Sequence, residues 1–180
     1  GTITATLSGS STSCTGNSAT VTNGVYTTGT QTISGLKTFT AGLNSTGAGT
    51  NSFRAGLNAG QTSQGDYSVA VGITAGQTSQ GTNSVAVGVQ AGRTTQGTLA
   101  VAIGSEAGRD AQGTISVAVG AGAGSITQGD YSVAVGNAAA NNTQGDNAVA
   151  VGSQAGTTTQ GINATAVGQS AGNSSQGDSA

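Results

Sequence analysis

The sequence predicts an all-β fold, a parallel β-solenoid of 16-residue coils, on three observations. A Gln-Gly pair recurs every 16 residues with no insertion or deletion. Each repeat carries a stretch like Ser-Val-Ala-Val-Gly, in which β-branched residues alternate with small ones as in a short strand. The 180 residues include 33 glycines, no proline, and only four basic and six acidic side chains. Because disordered chains usually combine high charge with proline, this composition favours a regular, backbone-driven structure.

Each repeat is predicted to hold two strands and two turns. The Ser-Val-Ala-Val-Gly stretch forms the first strand, since glycine recurs too often and valine has the wrong spacing for a helix. The second half, from Ala-Gly to Gln-Gly, predicts a turn, a weaker strand and another turn. With a constant period each residue lies over its counterpart in the next coil, about 4.8 Å away, so eight coils span about 38 Å.

The period also divides the chain into two domains. Residues 49–180 hold eight full repeats and the start of a ninth, so the array is expected to continue further. The first repeat has Arg54 and Ala55 where later ones have Ala and Val, as is usual for a terminal coil. Residues 1–48 lack the period and carry short β-prone runs between Ser, Gly and Asn clusters. They are predicted to form a β-rich fibre shaft or connector segment.

Stacked coils turn each repeated residue into a column. Glycines such as Gly72 and Gly88 are expected at a corner that requires a positive φ or a close backbone approach. The glutamines are expected to form an amide ladder along the axis. They are Gln64, Gln80, Gln96, Gln112, Gln128, Gln144, Gln160 and Gln176. An alanine column marks a cramped interior. It comprises Ala59, Ala75, Ala91, Ala107, Ala123, Ala139, Ala155 and Ala171.

Both faces of the first strand are small or apolar, so both are expected to be buried. We favour the orientation that puts Ala70 and its equivalents inside the coil and the valines against other copies, and the reverse stays open. Either orientation leaves an apolar stripe on a single solenoid, which a homotrimer of side-by-side chains would cover. The valines assigned to the core or the trimer interface are Val69, Val71, Val85, Val87, Val133 and Val135, with their equivalents.

Two stretches resemble known families. Residues 25–39, Val-Tyr-Thr-Thr-Gly-Thr-Gln-Thr-Ile-Ser-Gly-Leu-Lys-Thr-Phe, with the preceding Thr15 to Gly24, resemble a segment of fibre and tail-fibre proteins of bacteriophages and large viruses. The Ser-Val-Ala-Val-Gly repeats resemble those of trimeric autotransporter adhesin heads, although those repeats are usually shorter and lack the fixed Gln. The resemblance implies a homotrimeric fibre with a left-handed parallel β-roll, used for attachment.

Sites for chemistry are scarce in this sequence. It has no histidine and one cysteine, Cys14, so catalysis is not expected. Four scattered basic residues cannot supply the basic stripe of a nucleic-acid interface, and no apolar run is long enough for membrane insertion. Asp66, Asp130, Asp146 and Asp178 share a column that favours turn aspartates bonded to their own backbone over a calcium site. No cofactor and no metal are expected.

The function expected is that of a structural fibre segment, an extracellular spacer in a virion attachment fibre. Its expected partners are copies of itself, other fibre or virion proteins, and a host-surface receptor reached through a distal domain. The alternative is the head of a trimeric adhesin on a bacterial cell surface, which binds host matrix. A minor alternative is an ice-binding β-solenoid, but a Thr-X-Thr ladder is present in one coil only, at 157–159.

Overall fold

The computed structural model describes residues 49–180, and these residues form a β-solenoid with no helix among them. Strands alternate between two sheets. The eight-stranded sheet comprises β1 (Phe53–Ala55), β3 (Val69–Val71), β5 (Val85–Val87), β7 (Val101–Ile103), β9 (Val117–Val119), β11 (Val133–Val135), β13 (Val149–Val151) and β15 (Thr165–Val167). The seven-stranded sheet comprises β2 (Thr62–Gln64), β4 (Thr78–Gln80), β6 (Thr95–Gln96), β8 (Ala111–Gln112), β10 (Thr127–Gln128), β12 (Thr143–Gln144) and β14 (Thr159–Gln160). The predicted shaft segment, residues 1–48, lies outside the described residues.

All strand pairs are parallel and join residues 16 apart, as in the pairing of Val85 with Val101 and of Gln128 with Gln144. The predicted all-β solenoid with 16-residue coils is therefore confirmed. Positions within a coil are numbered here from 1, the glycine after the glutamine, to 16, the glutamine itself. The first strand spans positions 5 to 7 and is shorter than the five residues predicted, because the backbone turns at the glycine of position 8.

The interior of the coil is filled by alanine. Ala70 and its equivalents at position 6, and Ala75 and its equivalents at position 11, are almost all fully buried. The valines on either side of Ala70 point away from this interior and are partly exposed. A core of methyl groups contributes little hydrophobic free energy for each residue, so backbone hydrogen bonds between coils must carry much of the stability.

Arg54 stands at position 6 of the first coil, where later coils have alanine. Strand β1 nevertheless pairs in register with β3, and Arg54 lies opposite Ala70. The Arg54 side chain is only partly buried, and its Nη1 donates to the carbonyl oxygen of Gly60 at 3.4 Å. The first coil thus continues both sheets but ends the alanine interior with a polar side chain.

The corner glycines satisfy both requirements that the sequence suggested. Gly88 at position 8 has a φ of +133°, and a Cβ built on it would lie 2.6 Å from the carbonyl carbon of Gly104 in the next coil. A left-handed φ near 55° does not by itself demand glycine in this fold. Position 3 has a left-handed φ in every repeat, yet it holds Tyr67 and Ile115, both with φ of 55°. At position 8 the φ near +130°, which side chains rarely adopt, and the close approach to the next backbone both exclude a side chain.

Candidate functional site

The glutamine column lies inside the solenoid and links its two sheets. All members from Gln64 to Gln160 are at least nine-tenths buried, and Gln176 is partly buried. Each Nε2 donates to the position-5 carbonyl oxygen on the opposite sheet of its own coil. In Gln128 this bond reaches the Val117 oxygen at 2.8 Å, and in Gln144 it reaches the Val133 oxygen at 2.8 Å. The amide therefore acts first as a cross-brace within one coil.

Amide contacts along the axis are discontinuous, which differs from the ladder that the sequence predicted. The Nε2 of Gln96 donates to the Oε1 of Gln112 at 3.1 Å, and Gln144 donates to Gln160 at the same distance. Gln160 donates to Gln176 at 3.3 Å. Among the described residues, four buried Oε1 atoms have no hydrogen-bond partner. They belong to Gln80, Gln96, Gln128 and Gln144.

Serine at position 4 closes the turn that precedes the first strand. The Oγ of Ser132 donates to the carbonyl oxygen of Gly129 at 2.6 Å, and Ser84 makes the same bond to Gly81. These serines are completely buried. The bond satisfies a buried hydroxyl and keeps it within its own turn.

The aspartates at position 2 connect neighbouring coils. The Oδ1 of Asp130 accepts from the backbone N–H of Thr114, one coil earlier, at 2.7 Å. Asp146 accepts in the same way from the N–H of Asp130, at 2.9 Å. The prediction that these carboxylates bond to their own backbone is therefore wrong. Stacking brings the preceding coil within reach, and the side chain pairs an exposed N–H there. Within residues 49–180, no three His, Cys, Asp or Glu side chains are placed to hold a metal ion.

One cluster of charged side chains joins two adjacent coils. Arg109 donates from Nη2 to Oδ2 of Asp110 at 2.8 Å and from Nη1 to Oε2 of Glu106 at 2.8 Å. Arg93, which occupies the same coil position as Arg109, donates to Oδ1 of Asp110 at 2.9 Å. Two of the four cations are thus stacked rather than scattered. Like charges are tolerated in this column because Asp110 lies between them.

The Asp110 carboxylate gives this cluster a pH dependence. The hydrogen bonds from Arg109 hold its pKa below the ordinary value, although partial burial acts in the opposite direction. A depressed pKa contributes stability that is present above about pH 4 and is lost as the pH falls through the folded-state pKa. Because the side chain is about one-third exposed, 32 %, solvent screens much of this contribution.

We expect Asp110→Asn to lower the free energy of unfolding by about 0.5 kcal/mol at pH 7 and low salt. The gap to the wild type should narrow between pH 7 and pH 2, as the pH falls through the lowered pKa of Asp110. Urea unfolding of the wild type and of Asp110→Asn at pH 7 and at pH 2 measures this difference in stability. A gap of equal size at both pH values would show that Asp110 acts through packing rather than charge.

The outer surface of the eight-stranded sheet is an apolar surface that repeats from coil to coil. We call it the valine face; it consists of the side chains at positions 5 and 7 in strands β3 to β13. Exposed large side chains border it on both edges. On the position-3 edge they are Tyr67, Leu99, Ile115 and Tyr131. On the position-9 edge they are Leu57, Ile73 and Val89.

The outer side of the seven-stranded sheet is polar by comparison. Thr127, Thr143 and Thr159 stack in register at position 15 and are exposed. Ala111 interrupts this column in strand β8. In the described part of the chain no helix is long and apolar enough to cross a bilayer. Comparison with family models, with curated proteins and with solved structures finds no match to this chain.

Proposed function

We propose that this chain is a structural segment of a homotrimeric viral or phage fibre, in which the solenoid is a rigid spacer rather than an enzyme. The valine face carries this proposal. Its valines are repeated in register over six strands, β3 to β13, and remain partly exposed in the single chain. A monomer seldom leaves such a long apolar surface uncovered, and copies of the same chain present the matching repeat spacing.

The two edges of the valine face support a cyclic arrangement in register. In a ring of parallel copies, the position-3 edge of one copy meets the position-9 edge of the next at the same height. Large and small side chains are complementary there in several coils. Leu99 is matched by Ser105 and Ile115 by Ala121, whereas Val89 is matched by Asn83. In these three coils the bulky residue lies on one edge only, which would let neighbouring copies interlock, whereas the coil 65–80 has Tyr67 and Ile73 on both edges.

The mechanical role follows from the axial hydrogen bonds. Each coil is joined to the next by backbone bonds such as Val117 N–H to the Ser132 oxygen and Gly120 N–H to the Ile103 oxygen, both under 3 Å. Stretching or bending the rod requires many of these bonds to break together. The protein would lie outside the cell in a virion fibre, joined to other fibre proteins, and would hold a distal receptor-binding element away from the particle.

The test of the assembly compares one substitution on each sheet. Val117→Lys places a charge on the valine face, and Thr127→Lys places the same charge on the outer side of the other sheet. Light scattering coupled to size exclusion should give three copies for the wild type and for Thr127→Lys. The Val117→Lys variant should dissociate at a protein concentration at least ten times higher, because burial of an unpaired ammonium is costly.

Three other outcomes contradict the proposal in distinct ways. A wild-type monomer would eliminate the trimer. Dissociation by Thr127→Lys alone would move the interface to the seven-stranded sheet. An intact trimer that binds immobilised matrix proteins through the solenoid itself would favour the adhesin head over the spacer.

A further inference from the structure

The buried glutamines occur in two hydrogen-bonding states. Eight glutamines give seven neighbouring pairs along the axis. Three pairs are joined by an amide bond from Nε2 to Oε1: Gln96 to Gln112, Gln144 to Gln160, and Gln160 to Gln176. In the remaining four pairs no such bond forms, and the buried Oε1 of the later glutamine has no hydrogen-bond partner; these are Gln80, Gln96, Gln128 and Gln144.

The residue at position 4 between the two glutamines separates these states without exception. The three bonded pairs are separated by alanine: Ala100, Ala148 and Ala164. The four pairs without an axial bond are separated by serine: Ser68, Ser84, Ser116 and Ser132. Because the rest of the coil is nearly the same in both groups, the presence of one hydroxyl is the consistent difference.

The local hydrogen bonds show how position 4 acts. With serine, the hydroxyl donates its one proton to the glycine carbonyl at position 1, as Ser132 does to Gly129 at 2.6 Å. With alanine, that carbonyl accepts from the backbone N–H instead, as Gly145 does from Ala148 at 3.3 Å. The amide of Gln144 then reaches the Ala148 oxygen at 3.2 Å and the next amide at 3.1 Å.

We propose that the residue at position 4 determines whether neighbouring glutamine amides bond along the axis. Serine confines the hydrogen bonds of the preceding glutamine to its own coil, and alanine allows that glutamine to donate to the glutamine of the next coil. The solenoid is thereby divided into axially braced sections, at Gln96–Gln112 and Gln144–Gln176, and into unbraced junctions where a buried Oε1 is unpaired. Unpaired buried acceptors weaken a junction, so the serine junctions are the places where the rod opens first.

The test exchanges the two residue types in the full chain and follows the side-chain amide protons of glutamine by NMR hydrogen exchange. Ser132→Ala should create the bond from Gln128 to Gln144 and slow exchange of the Gln128 amide about tenfold. Ala148→Ser should break the bond from Gln144 to Gln160 and speed exchange of the Gln144 amide by a similar factor.

Ser125→Ala is the matched control, because Ser125 is buried at position 13, away from this turn. It should leave the exchange of all the glutamine amides unchanged. Unaltered exchange of the Gln144 amide in Ala148→Ser would overturn this proposal. Slowed exchange throughout the column in Ser125→Ala would also overturn it, since any loss of a hydroxyl would then suffice.

Discussion

Replacement of Gln144 by Glu is expected to lower the free energy of unfolding by about 4 kcal/mol at pH 7. Gln144 is 1 % exposed, and the two protons of its Nε2 are shared among three acceptors within hydrogen-bond distance. These are the Val133 oxygen at 2.8 Å, the Ala148 oxygen at 3.2 Å and Oε1 of Gln160 at 3.1 Å. Glutamate has nearly the same shape, but an ionised carboxylate cannot donate, so a buried charge would face three oxygen atoms.

The loss of stability in Gln144→Glu should increase as the pH rises. Burial among acceptors favours the protonated acid, so the folded-state pKa of the new carboxyl lies above its ordinary value of about 4.3. Below that value the acid is protonated in both states and can still donate one hydrogen bond. The destabilisation therefore grows as the pH rises from about 4 through the folded-state pKa, and most of the stability returns in acid.

Gln154→Glu provides the control, because Gln154 is exposed in the following coil and gains the same charge. Urea unfolding of both variants at pH 7 and pH 4 makes the comparison. A Gln144→Glu variant as stable as Gln154→Glu at pH 7 would mean that the amide is not an obligatory donor. Equal losses at both pH values would instead assign the effect to packing.

The constant period made most of the fold predictable. In a solenoid of parallel strands each column pairs with itself, so a 16-residue repeat fixes the register, as in the pairing of Val133 with Val149. Alternating Val and Ala located the first strand, and the invariant glycine located the corner. None of this required large apolar residues, which is why a composition poor in aromatics still specified one structure.

The directions of individual hydrogen bonds could not be predicted in the same way. A buried glutamine amide in each coil could donate across the coil or along the axis. Only the distances from Gln144 Nε2 to the Val133 oxygen and to Oε1 of Gln160 show that both bonds occur. Likewise, a turn aspartate can reach its own backbone or the coil beside it. Serine or alanine at position 4 was visible in the sequence, but its effect on the bond between the glutamine four residues earlier and the one twelve residues later was not.

The left-handed residues at position 3 were missed for a different reason. Glycine or asparagine is the usual signal of such a conformation, and Tyr67, Leu99 and Ile115 carry no such signal. The axial bonds impose this backbone in every coil. The backbone N–H of Leu99 donates to the carbonyl oxygen of Thr82 at 2.9 Å. The N–H of Ile115 donates to the carbonyl oxygen of Thr98 at the same distance. Stacking overrides the local preference of these side chains.

A second large effect is expected for Gly88→Ala, which should lower the free energy of unfolding by at least about 3 kcal/mol. The φ of Gly88 is +133°, where L-residues are strained, and the added Cβ would lie 2.5 Å from the oxygen and 2.6 Å from the carbonyl carbon of Gly104. Those atoms belong to the backbone of the next coil, so the clash can be relieved only by separating two coils. That separation would stretch the bond from Gly104 N–H to the Val87 oxygen.

Gly92→Ala, four residues away, is the comparison for a glycine with a left-handed φ and no backbone contact. Gly92 has a φ of +52°, but its Cβ would meet the flexible end of the Gln96 side chain at 2.8 Å. The chain already holds an alanine at this position in another coil, Ala140, with φ of 45°. We expect Gly92→Ala to cost only about 1 kcal/mol in thermal or urea unfolding. Equal costs for the two variants would contradict the larger penalty expected at Gly88 from its φ of +133° and its contact with the backbone of Gly104.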